Sequence, residues 1–148
     1  QTARSPETIM IGTPKWPARY AYLAGHFGVP IIMVSGDRAV CKEAADLIGD
    51  VETAVTKIGL TRNCAEVFHP TVSRKNITDA ALRAAKRLKE FKPLKAETPC
   101  VLDVTYRNAD MADRVQDTSG GERIADRTVR IKAANALEVF QRFERGFQ

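Results

Sequence analysis

Val29–Leu47 reads VPIIMVSGDRAVCKEAADL, and the fold is decided here. Ile31, Ile32 and Val34 favour a pleated, buried backbone, so Pro30–Ser35 is predicted as a strand. Gly36-Asp37 breaks it at once. Asp37 suits a helix N-cap, because its carboxylate can accept from a backbone N–H two or three residues on. Val40, Cys41, Ala44, Ala45, Leu47 and Ile48 follow at helical spacing, and Gly49 stops the helix. Val51–Lys57 then alternates like a second strand. Pro30–Lys57 is therefore expected to form a β–α–β unit with a right-handed parallel crossover.

Such units place ligands beyond the C-terminal ends of their strands. Ser35, Gly36 and Asp37 occupy that position and are the candidate substrate-binding residues. Unpaired N–H groups at a helix N-terminus favour an anion, such as a substrate carboxylate. Capping by Asp37 competes with that role, since it uses the same donors.

Working outward, Thr8–Ile11 is expected as a short strand between irregular residues 1–7 and a proline-rich loop at 12–17. Ala18–Phe27 reads as a helix closed by Gly28. Downstream, Gly59–Phe68 is expected as a loop with a helical turn. A long helix then runs from Pro70 to about Glu90, with Ile77, Ala81, Ala84, Ala85 and Leu88 as its inner stripe. Cys100–Tyr106 alternates Val101, Asp103 and Thr105 with Leu102, Val104 and Tyr106, a half-buried strand. A short helix at 109–115, a turn at 119–121, a hairpin of 123–124 with 128–131, and a helix at 135–147 complete the chain. Ala136, Phe140, Phe143 and Phe147 share one face of that last helix, a core stripe. The expected class is α/β: a βαβ parallel-sheet unit followed by an α+β tail of strand, short helix, hairpin and C-terminal helix. The expected organisation is an irregular segment at 1–17 and a single domain at 18–148.

The 148 residues suffice for one good core, and 44% hydrophobic with 28% charged residues is ordinary for a globular protein. No apolar run reaches the roughly 18–20 residues that cross a bilayer. The first ten residues, QTARSPETIM, lack the apolar segment of a secretory signal. The chain opens on Gln rather than Met, which reads as a segment of a longer product. Cys41, Cys64 and Cys100 are odd in number and show no CxxC spacing, as expected for reduced thiols in a cytoplasmic protein.

The net charge of +5 is concentrated. Between residues 71 and 95, Arg74, Lys75, Arg83, Lys86, Arg87, Lys89, Lys92 and Lys95 face only Asp79 and Glu90. Such a helix could hold nucleic acid or another polyanion. It lacks interleaved aromatics for base stacking, which favours a solvated outer face. His26 and His69 have no HExxH or HxxxH relation and read as structural or surface histidines. Walker, GxGxxG and GxSxG patterns are absent from the sequence.

AYLAGHFGVPIIMVSGDRAVCKEAADLI (21–48), VETAVTKIGLTRNCAEVFHP (51–70), KEFKPL (89–94), YRNADMADRV (106–115) and DRTVRIKAANALEVFQRF (126–143) come in an order that resembles the C-terminal half of the DppA-type D-aminopeptidases, a zinc metallopeptidase family. The resemblance covers roughly residues 20–145. It implies a zinc-dependent hydrolase that releases N-terminal D-amino acids, often D-Ala, from short peptides, as a homo-oligomeric ring. It also implies a di-zinc centre whose ligands lie chiefly in an N-terminal domain, as an Asp-x-Glu and two histidines. A further Glu belongs to a Gly-Glu-x-Gly-x-Asn motif before the helix that corresponds to Ala18–Phe27.

This sequence departs from the family pattern. The N-terminal domain and its ligands are not in it, and Lys15-Trp16-Pro17-Ala18-Arg19-Tyr20 occupies the Glu-bearing motif. Trp16 stands where the Glu would fall, and Glu7 lies too early. No metal ligand and no catalytic residue is assigned. Zinc is implied by the resemblance alone, with no complete site in this chain. The expected function is a portion of a D-aminopeptidase-like metallohydrolase whose metal ligands lie outside these residues. Its partners would be a short peptide, other copies of itself or a missing N-terminal half, with no membrane and no nucleic acid. The alternatives are a non-catalytic scaffold or ligand-binding module of the same descent, and an anion- or nucleic-acid-binding protein using residues 71–95.

Overall fold

The computed structural model describes residues 8–12 and 16–146, with side chains from residue 18 onward. The described residues form two compact units, residues 16–94 and residues 8–12 with 95–146. The expectations for residues 1–7, for 13–15 of the 12–17 loop, for Glu7 and for Phe147 lie outside the described residues, whereas Trp16 and Pro17, expected in that loop, open a helix instead, where a proline in the first turn gives up no intrahelical hydrogen bond.

The unit at 16–94 holds the β–α–β crossover. Helix α1 (Trp16–His26) precedes strand β2 (Met33–Asp37), helix α2 (Arg38–Ile48) and strand β3 (Glu52–Thr61); strand β1 (Thr8–Gly12) belongs to the other unit. Strands β2 and β3 are parallel, with Val34 opposite Thr53 and Ser35 opposite Ala54. The parallel pairing is the one that the α2 crossover requires. Helix α2 starts on Asp37 and ends on Gly49, whose N–H donates to the Ala45 carbonyl. Cys41 and Ala44 form its buried face.

Strand β3 runs past the point where alternation stops being legible. Residues 59–68 form no helical turn. Instead β3 continues to Thr61, turns at Arg62-Asn63, and returns antiparallel as β4 (Cys64–Val67). The sheet order is β2-β3-β4. Helix α3 (Pro70–Lys86) lies against β3. Its buried residues are Ala80 and Ala84, whereas Ala81, Ala85 and Leu88 are exposed. The helix is thus rotated from the expected stripe, because the small Ala80 and Ala84 allow the closest approach to the sheet. Gly25 permits another close approach. A Cβ there would fall 1.8 Å from the Leu94 carbonyl oxygen, so only glycine lets α1 pass that backbone.

In the other unit the sheet order is β1-β5-β7-β6, from β5 (Cys100–Thr105), β6 (Glu122–Ala125) and β7 (Thr128–Ala133). β1 pairs parallel with β5, and β7 pairs antiparallel with both β5 and β6. Leu102 faces Ile131 and Val104 faces Val129 in the β5–β7 register. These side chains pack with Ala112 and Val115 of α4 (Ala109–Ser119) and with Val139 and Phe143 of α5 (Ala136–Arg145). Asn108 and Asn135 start the two helices by accepting from Met111 N–H and Glu138 N–H, each at 3.0 Å. The expected α+β tail is present, with α4 extending to Ser119 rather than stopping at Val115.

Candidate functional site

The β2–α2 turn is built from residues that each satisfy a local constraint. Asp37 has φ −74° and ψ 167°, an extended backbone that points its side chain back over the first turn of α2. Asp37 Oδ1 accepts from Val40 N–H at 2.8 Å. The capping role is therefore occupied. Gly36 has no side chain because α2 starts so close: a Cβ there would lie 2.6 Å from Val40 Cγ1. The Thr56 hydroxyl on β3 donates to the Gly36 carbonyl at 3.1 Å and ties the turn to the neighbouring strand. Asn76 of α3 donates through Nδ2 to the Val55 carbonyl at 3.2 Å. Ser35 is exposed in the middle of β2, two residues before the helix cap. The structure thus brings Ser35, Gly36 and Asp37 together, and adds Thr56 and Asn76 as supports that sequence reasoning missed. The strand partner of Asn76 lies 21 residues away in the chain, so no local signal marks it.

Cys41 sits beneath this turn, with Sγ 4.0 Å from the Val34 carbonyl oxygen. Burial raises its thiol pKa above the ordinary value, so thiolate chemistry is disfavoured there. Cys100 is raised by burial in the same way and donates to the Glu97 carbonyl at 3.0 Å. Neither is an activated nucleophile.

The two histidines do not converge on a site. His69 is the N-cap of α3, and its Nδ1 accepts from Thr71 N–H at 3.3 Å. His26 ends α1 and meets the Phe27 ring edge-on, with ring centroids 5.0 Å apart. Among the described residues no three His, Cys, Asp or Glu side chains group so as to hold a metal ion.

The basic segment is partly consumed by structure. Arg87 bridges Asp50 at 2.7 Å, Glu52 at 3.0 Å and Glu90 at 2.7 Å, while Arg83 holds Glu52 at 2.9 Å. Lys75 pairs with Asp79 at 2.6 Å. The Arg87 guanidinium also lies over the buried Phe91 ring, 5.3 Å from its centroid. These pairs lower the positive field available to a polyanion.

The family model described as D-aminopeptidase matches residues 18–145. The chain belongs to the D-aminopeptidase family. A curated D-aminopeptidase of Bacillus subtilis (strain 168) is 31% identical over 122 residues, which is 82% of this chain and 44% of that protein. A solved structure, the Zn-dependent D-aminopeptidase DppA from Bacillus subtilis, a self-compartmentalizing protease, superposes with a TM-score of 0.83 at 29% identity. The match covers 88% of this chain and 48% of that one. This D-aminopeptidase family chain thus spans about half the length of the relatives it matches.

The described residues do not fit a zinc centre. One histidine is spent on a helix cap, the other stands at an exposed helix end, and α1 begins with Trp16 at the position where the family resemblance places a Glu. Tetrahedral zinc needs three or four converging N, S or O ligands. No step through a metal is therefore derived from this chain's own residues. Among the described residues, no helix is long and apolar enough to cross a membrane.

Proposed function

We propose that this chain is the C-terminal portion of a D-aminopeptidase-like metallohydrolase that cleaves N-terminal D-amino acids from short peptides. The metal ligands come from residues outside the chain. The observation that carries this is the pairing of a high-scoring fold match, TM-score 0.83 over 88% of the chain, with the want of any three-ligand group among the described residues. The family match runs through both compact units, and residues 18–148 are read together as one module.

In this reading the module is cytoplasmic and homo-oligomeric. It shapes the peptide cleft, and Ser35 offers its exposed hydroxyl at the mouth of the β2–α2 turn. Gly36 supplies clearance, and Asp37 keeps the first turn of α2 in place. The experiment compares the natural polypeptide that contains these residues with the 148-residue chain alone. Zinc per chain is measured by elemental analysis, and release of D-Ala from a D-Ala dipeptide by amine detection. Zinc and hydrolysis are expected only in the longer polypeptide. Stoichiometric zinc held by the 148-residue chain would refute the assignment.

One observation favours the non-catalytic alternative, namely Trp16 at the Glu position. A natural polypeptide that assembles fully but binds no zinc and releases no D-amino acid would establish that alternative.

A further inference from the structure

Strands β2 and β3 do not stay in step to the end of their parallel ladder. Gly36 pairs with Val55, but Asp37 pairs with Lys57, so Thr56 is an extra residue on β3. Such a bulge is uncommon between parallel strands, and it re-aims the side chains that follow it. In an unbroken ladder Thr56 would stand opposite Asp37. Side chains alternate between faces, so the shift puts Lys57 on the face that Thr56 would have taken. The bulge is held from several directions. The Thr56 hydroxyl donates to the Gly36 carbonyl at 3.1 Å, and the Thr56 carbonyl accepts from Phe68 N–H at 3.1 Å. Asn76 of α3 donates to the Val55 carbonyl at 3.2 Å. Lys57 is thereby fixed at the last pair of the ladder, where β2 ends and α/β folds take their ligands.

Lys57 is exposed there, and it makes no ion pair among the described residues. Across β2, Asp37 turns its Oδ1 back to Val40 N–H. Across β4, Lys57 faces Val67, which carries no charge. Other cations of this unit are committed to carboxylates, Lys42 to Asp46, Arg83 to Glu52, and Arg87 to Asp50, Glu52 and Glu90. Arg38, the residue after Asp37, is exposed as well and adds to the positive field beside the turn.

We propose that Lys57 is a specificity-determining residue, which binds the C-terminal carboxylate of the short peptide. This rests on the proposed reading of the chain as part of a peptide cleft. A short apolar peptide carries one charged group besides its amino terminus, and that group is the far carboxylate. An ammonium on a flexible four-carbon stem meets a carboxylate as a point charge with hydrogen-bond donors. The carboxylate takes no part in the bond cleavage, so Lys57 holds it equally before and during the reaction. Such uniform binding acts on KM and leaves kcat alone. It also favours short peptides, because in a longer one the carboxylate lies beyond the reach of Lys57.

The test uses the natural polypeptide that contains these residues and two substrates, a D-Ala dipeptide and its C-terminal amide. The wild type is expected to show a KM roughly tenfold lower for the acid than for the amide, the size of one hydrogen bond to a charged group. Lys57→Met should raise KM for the acid to that of the amide and leave KM for the amide where it was. Lys57→Arg should restore most of the preference. A wild type indifferent to the amide, or a Lys57→Met variant that keeps the preference, would overturn the inference. So would a Lys57→Met variant that loses kcat equally on both substrates, since that marks a structural role. Should Lys57→Met not fold by circular dichroism, Lys57→Gln takes its place with the same outcomes. Hydrolysis of both substrates without preference removes the role of Lys57 alone. Hydrolysis of neither removes the enzymatic reading, and this inference with it.

Discussion

Asp103 and Arg130 sit opposite each other in the β5–β7 ladder and close a two-pronged ion pair, with Nε–Oδ1 and Nη2–Oδ2 both at 2.7 Å. The pair lies on the sheet face opposite Leu102, Val104, Val129 and Ile131, which pack under α4 and α5. The Asp103 side chain is only 10% exposed, so its charge relies on this fork rather than on water.

Removing one partner should therefore cost more than the usual surface pair. Asp103→Asn is expected to lower unfolding free energy by about 2 kcal/mol, within the range for hydrogen bonds to charged groups. Arg130→Lys keeps the charge but loses the planar fork, and should fall between wild type and Asp103→Asn. Urea unfolding midpoints at constant slope measure both. Equal midpoints for wild type and Asp103→Asn would show that the fork adds nothing to stability.

The β2–α2 turn separates capping from ligand contact. Asp37→Ala should cost about 1 kcal/mol, the usual value of a lost N-cap, whereas Asp37→Asn should be nearly neutral because Asn caps as well. Gly36→Ala should cost about 1–3 kcal/mol through the Val40 contact, and Gly36→Ala with Val40→Ala should recover much of it. Thermal melts of the four variants check this order. If Asp37→Asn is stable but the natural polypeptide carrying it loses peptide affinity, Asp37 contacts substrate as well as capping.

Much of this turn was legible in the sequence, since each of its residues answers to a neighbour within a few positions. Asp37 meets Val40, and Gly49 closes the helix that Asp37 opens. The same holds for Asn135 and Glu138 at the start of α5. What was not legible depends on partners far along the chain. Strand β1 pairs with β5 across most of the sequence, so the sheet order β1-β5-β7-β6 has no local signal. The β3–β4 hairpin was hidden because its turn is Arg62-Asn63, without the glycine that marks tight hairpins. The rotation of α3 was hidden because alanines fill several of its faces, and only the sheet decides that Ala80 and Ala84 go inward. For the candidate site, Ser35, Gly36 and Asp37 could be named from the strand-to-helix break. Thr56 and Asn76 needed the parallel pairing and the α3 contact first.

Tyr106 supplies an alkaline signature. It is buried at the end of β5, and burial pushes its phenol up to about 12 from the ordinary 10. The folded state thus keeps a proton that the unfolded chain gives up. The stability from this group is complete below pH 10 and is lost as pH rises toward 12. Phenolate absorbance should show a late step near pH 12, and Tyr106→Phe should remove it. A Tyr106→Phe chain with an unchanged late step would assign it elsewhere.

Glu138 supplies the acid counterpart. Its Oε2 accepts from Ala134 N–H at 3.1 Å while Asn135 accepts from Glu138 N–H, a reciprocal cap at the start of α5. The Ala134 hydrogen bond, and then the Arg142 guanidinium at 2.6 Å, hold the Glu138 carboxyl below its ordinary value of 4.5. A depressed carboxyl contributes stability above the unfolded value, and loses it as pH falls through the folded one. Wild type should therefore melt above Glu138→Gln at neutral pH, and the gap should close only as pH drops below 4.5. Carbon-detected NMR titration of the Glu138 carboxyl gives the same answer directly. A midpoint at or above 4.5 would mean that the α5 cap does not hold the charge.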